Sequence, residues 1–438
     1  MSGARFTIQT DEVLSLVPDI ENADAQTTYL WTMDGEVVST EDHYEFCQPE
    51  EGVYYVQLVV TNRFGEAQDE VKVTVKKAPE EVIPQAPEET ALRWVFPFTE
   101  INIPLGRDIM IRPMVFGSEK EVEKHFKAEE IGDHCLTFTL SEGSATLKQD
   151  IIVHVCPAAG TYRRVKTNGQ LMANRIYEYK PAPGHQVNGF IITGEAFPPG
   201  CTEEQACDTV LKHFERRWMT SLGGWGGYLV AGFDHSIPCH ETGYDFIIQG
   251  NPYDYQSEPG IIWVSQDVNG DGLPNDLWYE LAGSEYGNDN HTTSYAMTYY
   301  RPTQPNTGVA WRGNNRETGY IPYMSYWNPA AYYWQDWQKE EETLTFFGSR
   351  LKSYVTYEKG VSSMPPYAWG YADNLGSDYS TDPERKGGYY YIRNARTWDG
   401  KPAALEYIDF VKVQTAVTGH TPNLGDVSTE VFCISAVE

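Results

Sequence analysis

The chain is predicted to be all-β: two small antiparallel sandwiches followed by a large jelly-roll-type β-sandwich that carries one helix. Three observations predict it. A two-strand pattern near residue 50 recurs 80 residues later, one segment alone has helical periodicity, and the remainder alternates short apolar runs with long Gly/Asn/Asp loops.

Bulk properties narrow the functional classes. A chain of 438 residues exceeds one ordinary core, so several domains are expected. A net charge of −29, spread along the sequence, is the opposite of the basic stripe that phosphate backbones require, so nucleic acid is not an expected partner. No apolar run approaches the ~18 residues of a membrane span. Met1-Ser2-Gly3 leads straight into Phe6-Thr-Ile, so the chain reads as a mature, exported form whose export signal, with any lipid anchor, has been removed. Seven cysteines without CxxC spacing argue against a zinc cluster. Cys47 and Cys135 fall in or beside strand-like runs and are expected to be small core residues.

The repeat defines the first two units. Phe46-Cys-Gln-Pro-Glu-Glu-Gly52 recurs as Phe126-Lys-Ala-Glu-Glu-Ile-Gly132. Val56, Leu58 and Val60 answer to Leu136, Phe138 and Leu140, and Val71, Val73 and Val75 to Ile151, Val153 and Val155. Each unit therefore holds two period-2 strands joined by a short polar turn. Tyr29-Leu-Trp31, the Asp34-Gly35 turn, Glu51-Gly52-Val-Tyr-Tyr-Val56 and Val60-Thr-Asn-Arg-Phe-Gly65 resemble the polycystic-kidney-disease (PKD) immunoglobulin-like domain over residues 1–76. Residues 77–92 read as a Pro/Glu-rich linker. Residues 93–156 keep the hairpin but lack the Trp and the Asp-Gly turn, so they read as a degenerate second copy. The resemblance implies spacer modules, and a chain starting near residue 158 is expected to bind its ligand as well as the whole.

Residues 157–438 form the large domain. Residues 161–438 hold 26 of the 30 tyrosines and 10 of the 12 tryptophans. Thr202 with Gln205 reads as a capping box, and Ala206, Val210, Leu211, Phe214 and Trp218 share one face of a helix ending near Met219. Strands are predicted at 228–233, 244–249, 261–265, 294–300, 343–347, 389–393, 405–417 and 431–437.

Motifs that carry chemistry are few. In Asp267-Val-Asn-Gly-Asp-Gly-Leu-Pro-Asn-Asp276, oxygen donors at positions 1, 3 and 5 (Asp267, Asn269, Asp271) precede Gly272, which aims the Leu273 carbonyl inward, as Ca²⁺ requires. Position 12 is Trp278, so Asn275, Asp276 or the later Glu280 has to complete the shell. The alternative is a strand connection held by Asx-turns. Ser221-Leu-Gly-Gly-Trp-Gly-Gly-Tyr-Leu-Val230 lacks the features of a phosphate loop; its glycines suit close backbone approach, and Trp225 is either a core plug or a ligand platform. The loop 319–337 is dense in Tyr and Trp, which supply rigid contact area with a polar tip. Its Tyr326, Trp327, Tyr332, Tyr333, Trp334 and Trp337, with Trp225, Trp369 and Tyr371, form the expected ligand-binding set. No HExxH, GxSxG or supported Cys–His pair is present, so a non-catalytic role is expected.

Tyr177-Glu-Tyr-Lys-Pro-Ala-Pro-Gly184, Gly232-Phe-Asp-His235, Glu258-Pro-Gly-Ile-Ile262, Trp278-Tyr-Glu-Leu-Ala-Gly-Ser284, Trp369-Gly-Tyr-Ala-Asp-Asn374 and Ile408-Asp-Phe-Val-Lys-Val413 form a chain of short motifs spanning nearly all of residues 170–437. They resemble the C-terminal domain of cell-surface lipoproteins of gut bacteria, often preceded by PKD-like repeats. Some members of that group are similar to vitamin B12-binding lipoproteins that work beside outer-membrane cobalamin transporters. Asn275 stands where that family has Asp. The resemblance implies an exported, lipid-anchored surface protein that captures cobalamin; glycan binding and adhesion are the competing expectations.

Overall fold

The computed structural model describes residues 4–77, 83–89, 91–157, 160–166, 169–187, 197–324, 332–358 and 360–437. The chain divides into two compact units, residues 1–82 and 83–438.

The first unit is an immunoglobulin-like sandwich. Its larger sheet has the order Arg5–Gln9, Gly65–Lys76, Gly52–Asn62, Thr28–Met33, Glu36–Ser39, and Leu14–Leu16 pairs with Tyr44–Phe46. Alternation places Val56, Leu58, Val60, Val71, Val73 and Val75 inward against Trp31 and Phe46. The buried Trp31 indole donates to the Glu41 carbonyl at 3.0 Å, so its one polar atom is satisfied.

Within residues 83–438 the repeat is realised in three dimensions. Gly132–Glu142 and Ala145–Cys156 pair with Gly132 opposite Val155, as Gly52 lies opposite Val75. A parallel strand flanks each hairpin: Ile103 beside Val155, Ile8 beside Val75. The missing Trp is replaced by Phe138, Phe96 and Trp94, which meet edge-on. Cys47 and Cys135, expected inside, are exposed, because each falls on the outward phase of its alternation.

Residues 157–438 build the predicted large β-sandwich. Its main sheet is antiparallel and runs Arg175–Lys180, Tyr228–Pro238, Tyr407–Thr415, Gly260–Ser265, Trp278–Leu281, Ala395–Arg396. One face packs Leu229, Ala231, Ile262, Val264, Val411 and Val413 against the helix Glu203–Arg216 and a four-stranded sheet containing Phe246–Gln249 and Cys433–Ala436. The helix starts at the predicted capping box, with both Thr202 and Gln205 bonds formed. A second four-stranded sheet (Thr318–Ile321, Val309–Gly313, His291–Tyr300, Thr343–Leu351) has its own core around Trp225, Tyr295, Tyr299 and Phe346. Among the described residues no helix is long and apolar enough to cross a membrane.

The glycines before Tyr228 have the role the sequence suggested. A Cβ on Gly223 (φ 73°) would lie 2.0 Å from the Ala182 carbonyl oxygen, and one on Gly226 (φ 90°) 2.5 Å from Phe346. Only glycine lets the chain pass there.

The second small sandwich is not a detached spacer. Met114 and Phe116 share an apolar cluster with Ala296, and the Asn102 side-chain amide donates to the Asn275 carbonyl and Oδ1. Arg107 donates to the Ala403 carbonyl at 3.1 Å.

Candidate functional site

The outer face of the main sheet supplies the floor of a cleft of about 440 Å³. Directly opposed residues on neighbouring antiparallel strands share a face. One such row crosses all six strands: Glu178 opposite Val230, Val230 opposite Lys412, Lys412 opposite Trp263, Trp263 opposite Glu280, Glu280 opposite Arg396. All six line the cleft, as do Tyr228, Trp278, Tyr286, Phe347 and Trp398. The opposite wall comes from the second small sandwich through Phe98, Asp108, Met110 and Met114.

The floor's charges are arranged, not scattered. The Lys412 amine lies 4.1 Å from the Tyr228 ring centroid and 5.6 Å from that of Phe347. Burial pulls it down to about 8, with Glu178 acting in the opposite sense. Tyr228 donates its hydroxyl to Glu178 Oε2 at 2.7 Å. Glu280 is held by His291 Nε2 at 2.7 Å and by the Ser349 hydroxyl at 2.5 Å.

Three buried polar atoms belonging to cleft residues have no protein partner: Asp108 Oδ1, Trp263 Nε1 and Asp276 Oδ2. Buried polar groups are normally hydrogen-bonded, so unmatched ones beside a cavity mark where a ligand, water or ion completes the set. Asp276 also feels the loop around it: burial first, then the Asp267 carboxylate, push it up to about 8.

The Asp267–Asp276 loop borders the cleft. Asp267 accepts from the Gly270 and Gly272 amides at 2.8 and 3.0 Å. Asp271 Oδ2 accepts from the side-chain amides of Asn269 and Asn275 at 2.8 and 2.9 Å. Gly270 and Gly272 take positive φ (76° and 73°), as a loop folded tightly around its own acidic residues needs. Asp276 Oδ2 is left unmatched, Asn275 is engaged by Asn102, and the Asp267 and Asp271 oxygens are taken up by the loop's own amides, the Asx-turn arrangement that was the alternative to a calcium shell.

The aromatic set expected from sequence lies elsewhere. Trp225 is fully buried, its ring edge-on to Tyr295 at 4.8 Å. Tyr333 and Trp334 are buried in the same core, and Tyr332 packs against it, so these rings fill the apolar interior beside Trp225 and Tyr299. Trp337 packs against Phe197 at 5.7 Å, and Tyr371 is buried beneath Gly283. Trp369, 39% exposed, borders a smaller hollow with Tyr244 and Tyr391, whose rings stack at 4.5 Å. Tyr326 and Trp327 lie outside the described residues. Trp225→Ala is therefore expected to lower stability by ~3–5 kcal/mol while the folded protein keeps its ligand affinity, measured by denaturant unfolding beside a binding titration.

Sequence reasoning missed the floor of the cleft. The signal was a lysine between two valines in Phe410-Val-Lys-Val413 of a central strand, and a tryptophan two residues into Ile261-Ile-Trp-Val264.

A family model of the PKD-like domain matches residues 3–62. Among solved structures, the chain is similar to fibronectin(III)-like modules of Clostridium thermocellum CbhA, at 12% identity, covering 38% of this chain and 96% of that one with a TM-score of 0.16. It is similar to a tandem of titin Ig domains at 14% identity, covering 36% and 94% with a TM-score of 0.13. It is also similar to extracellular domains of Drosophila OTK at 11% identity, covering 38% and 69% with a TM-score of 0.13. A comparison with curated proteins gives no match.

Proposed function

We propose that the chain is a non-catalytic, exported surface protein that captures a bulky, partly apolar small molecule in the cleft. The observation that carries this reading is the cross-strand row ending in charges, with aromatic walls and unmatched polar atoms. The cavity falls in the range of about 300–1,000 Å³ typical of small-molecule sites. Cobalamin is the ligand that the resemblance of residues 170–437 names: a corrin offers broad faces to Trp263, Trp278 and Phe347, and rim amides to Lys412, Glu178 and Arg396. In this reading the protein is lipid-anchored and hands its ligand to an outer-membrane transporter.

Glycan binding is the second reading, favoured by the exposed Trp369 beside the stacked Tyr244 and Tyr391. One experiment separates the two. Protein mixed with cobalamin and desalted is expected to keep the cobalamin absorbance, with a saturable calorimetric titration; a colourless protein that binds oligosaccharides instead would replace the first reading by the second.

Calcium in the Asp267–Asp276 loop belongs to the same proposal. A cation that binds only the folded state raises its melting temperature. Asp271→Ala is expected to lower bound calcium by one ion per chain, read by elemental mass spectrometry. Unchanged calcium content in the variant would rule the loop out.

A further inference from the structure

A second group of carboxylates lies away from the cleft and from the Asp267–Asp276 loop. Among the described residues, Glu258, Asp373 and Glu430 form the one trio of potential metal ligands with oxygens all within 4.8 Å of one another. They come from segments far apart in sequence. Glu258 precedes the strand Gly260–Ser265, Asp373 sits in a left-handed turn (φ 51°), and Glu430 opens the short strand Glu430–Val431.

The backbone holds them in place. Asp373 accepts from the Asn251 amide at 2.8 Å and from the Glu430 amide at 2.9 Å, one bond on each oxygen. Glu258 Oε1 accepts from the Ser428 amide at 3.1 Å. Gly250 makes room for Asp373: a Cβ there would lie 2.4 Å from its Oδ1. Among the described residues no Lys or Arg forms an ion pair with any of the three. The charged groups facing them are Asp426 and His185, already paired to each other at 2.6 Å.

Glu430 supplies the independent sign of a ligand. It is 97% buried (3% exposed), and its Oε2 receives no hydrogen bond from an amide, hydroxyl or cation; the Glu258 carboxyl beside it can bond to Glu430 only when one of the two is protonated. An unpartnered carboxylate oxygen in a closely packed acidic trio needs a cation or a proton. Carboxylate oxygens hold Ca²⁺ at about 2.3–2.6 Å, so ligands on opposite sides of the ion stand about 4.8 Å apart. Oxygens that all lie within 4.8 Å of one another are close enough to share one such ion. We propose that Glu258, Asp373 and Glu430 bind one Ca²⁺, a staple joining three segments of the large sandwich. The site is independent of ligand capture in the cleft and of the Asp267–Asp276 loop.

The test uses the full chain in the Asp271→Ala background, stripped with EDTA and titrated with Ca²⁺. That protein is expected to bind one Ca²⁺ and to melt about 5 °C higher at a hundredfold excess over Kd. Adding Glu430→Gln, which keeps the shape and removes one charge, is expected to abolish both the bound ion and the rise. In EDTA the doubly substituted protein should melt no lower than its Asp271→Ala parent, because a repulsive buried charge has gone. Should Glu430→Gln fail to fold, Glu258→Gln, at the partly exposed corner, carries the same measurement. Calcium content and melting that are unchanged by Glu430→Gln would overturn the proposal. So would an Asp271→Ala protein with no response to Ca²⁺, since shared protons would then account for the trio.

Discussion

A chain beginning at residue 83 is expected to bind the cleft's ligand as tightly as the whole protein, whereas one beginning at residue 158 loses roughly a hundredfold or more in affinity. The difference lies in what each truncation removes. Residues 1–82 are a compact unit with their own core. Residues 93–156 provide Phe98, Asp108, Met110 and Met114 to one wall of the cleft. Removing them also bares Ala296 and Phe347, which pack with Met114 and Phe116, so melting temperature must be followed together with affinity. Met110→Asp isolates the wall without removing it. In Asp108–Ile111, Ile109 and Ile111 point into the small sandwich's core and Met110 alternates away from it. Affinity should fall while the melting temperature stays near that of the parent. Full binding by the residue-158 chain would return the second sandwich to the spacer role expected from its sequence and move the site elsewhere.

The wall that the second sandwich gives the cleft was not legible in its sequence, which carried information of another kind. Strands, the helix and the 80-residue repeat were legible because each is set by local alternation, by a 3.6-residue period or by a capping box, all within one window. The candidate site was not, because its floor takes one residue from each of six strands, from Glu178 at one edge to Arg396 at the other, and register decides which of them meet. No local window contains more than a fragment of that row. Density of aromatics misled for a related reason. Tyr333 and Trp334, adjacent in sequence, are both buried in one core, whereas Trp263, Trp278 and Trp398 come to the cleft from separate segments. The Asp267–Asp276 loop was legible as a pattern, but the trio Glu258, Asp373 and Glu430 was not, since its members are scattered over 173 residues (430 minus 258, counting both ends).

The largest single-residue losses are expected at Trp263 and Lys412, adjacent in the cross-strand row. Trp263→Ala removes an aromatic platform and is expected to cost ~2–4 kcal/mol of binding, or about 30- to 1,000-fold in affinity. Trp263 also packs partly against Ile261 and its neighbours, so some loss of stability accompanies the alanine. Trp263→Phe narrows the cause: a flat aromatic ring stays, smaller than the indole, and the unmatched indole N–H is lost. A ligand acceptor bonded to that N–H makes the Phe variant about tenfold weaker; equal affinity would mean that the N–H meets water instead. Lys412 adds a dependence on pH. Because burial lowers its amine to about 8, the ammonium is present in the folded protein below that pH and is lost above it. If the ligand accepts from the ammonium, affinity should be level up to about pH 7 and decline above pH 8, and Lys412→Met should be weaker and level throughout. Stability moves differently. A lysine depressed in the folded state destabilises most where both states are charged, so the Met variant's stability advantage is full below about pH 8 and shrinks as pH rises toward the ordinary lysine value of 10.5. A parent whose affinity is level from pH 6 to 10, with Lys412→Met binding equally well, would show that the lysine supports the floor without touching the ligand.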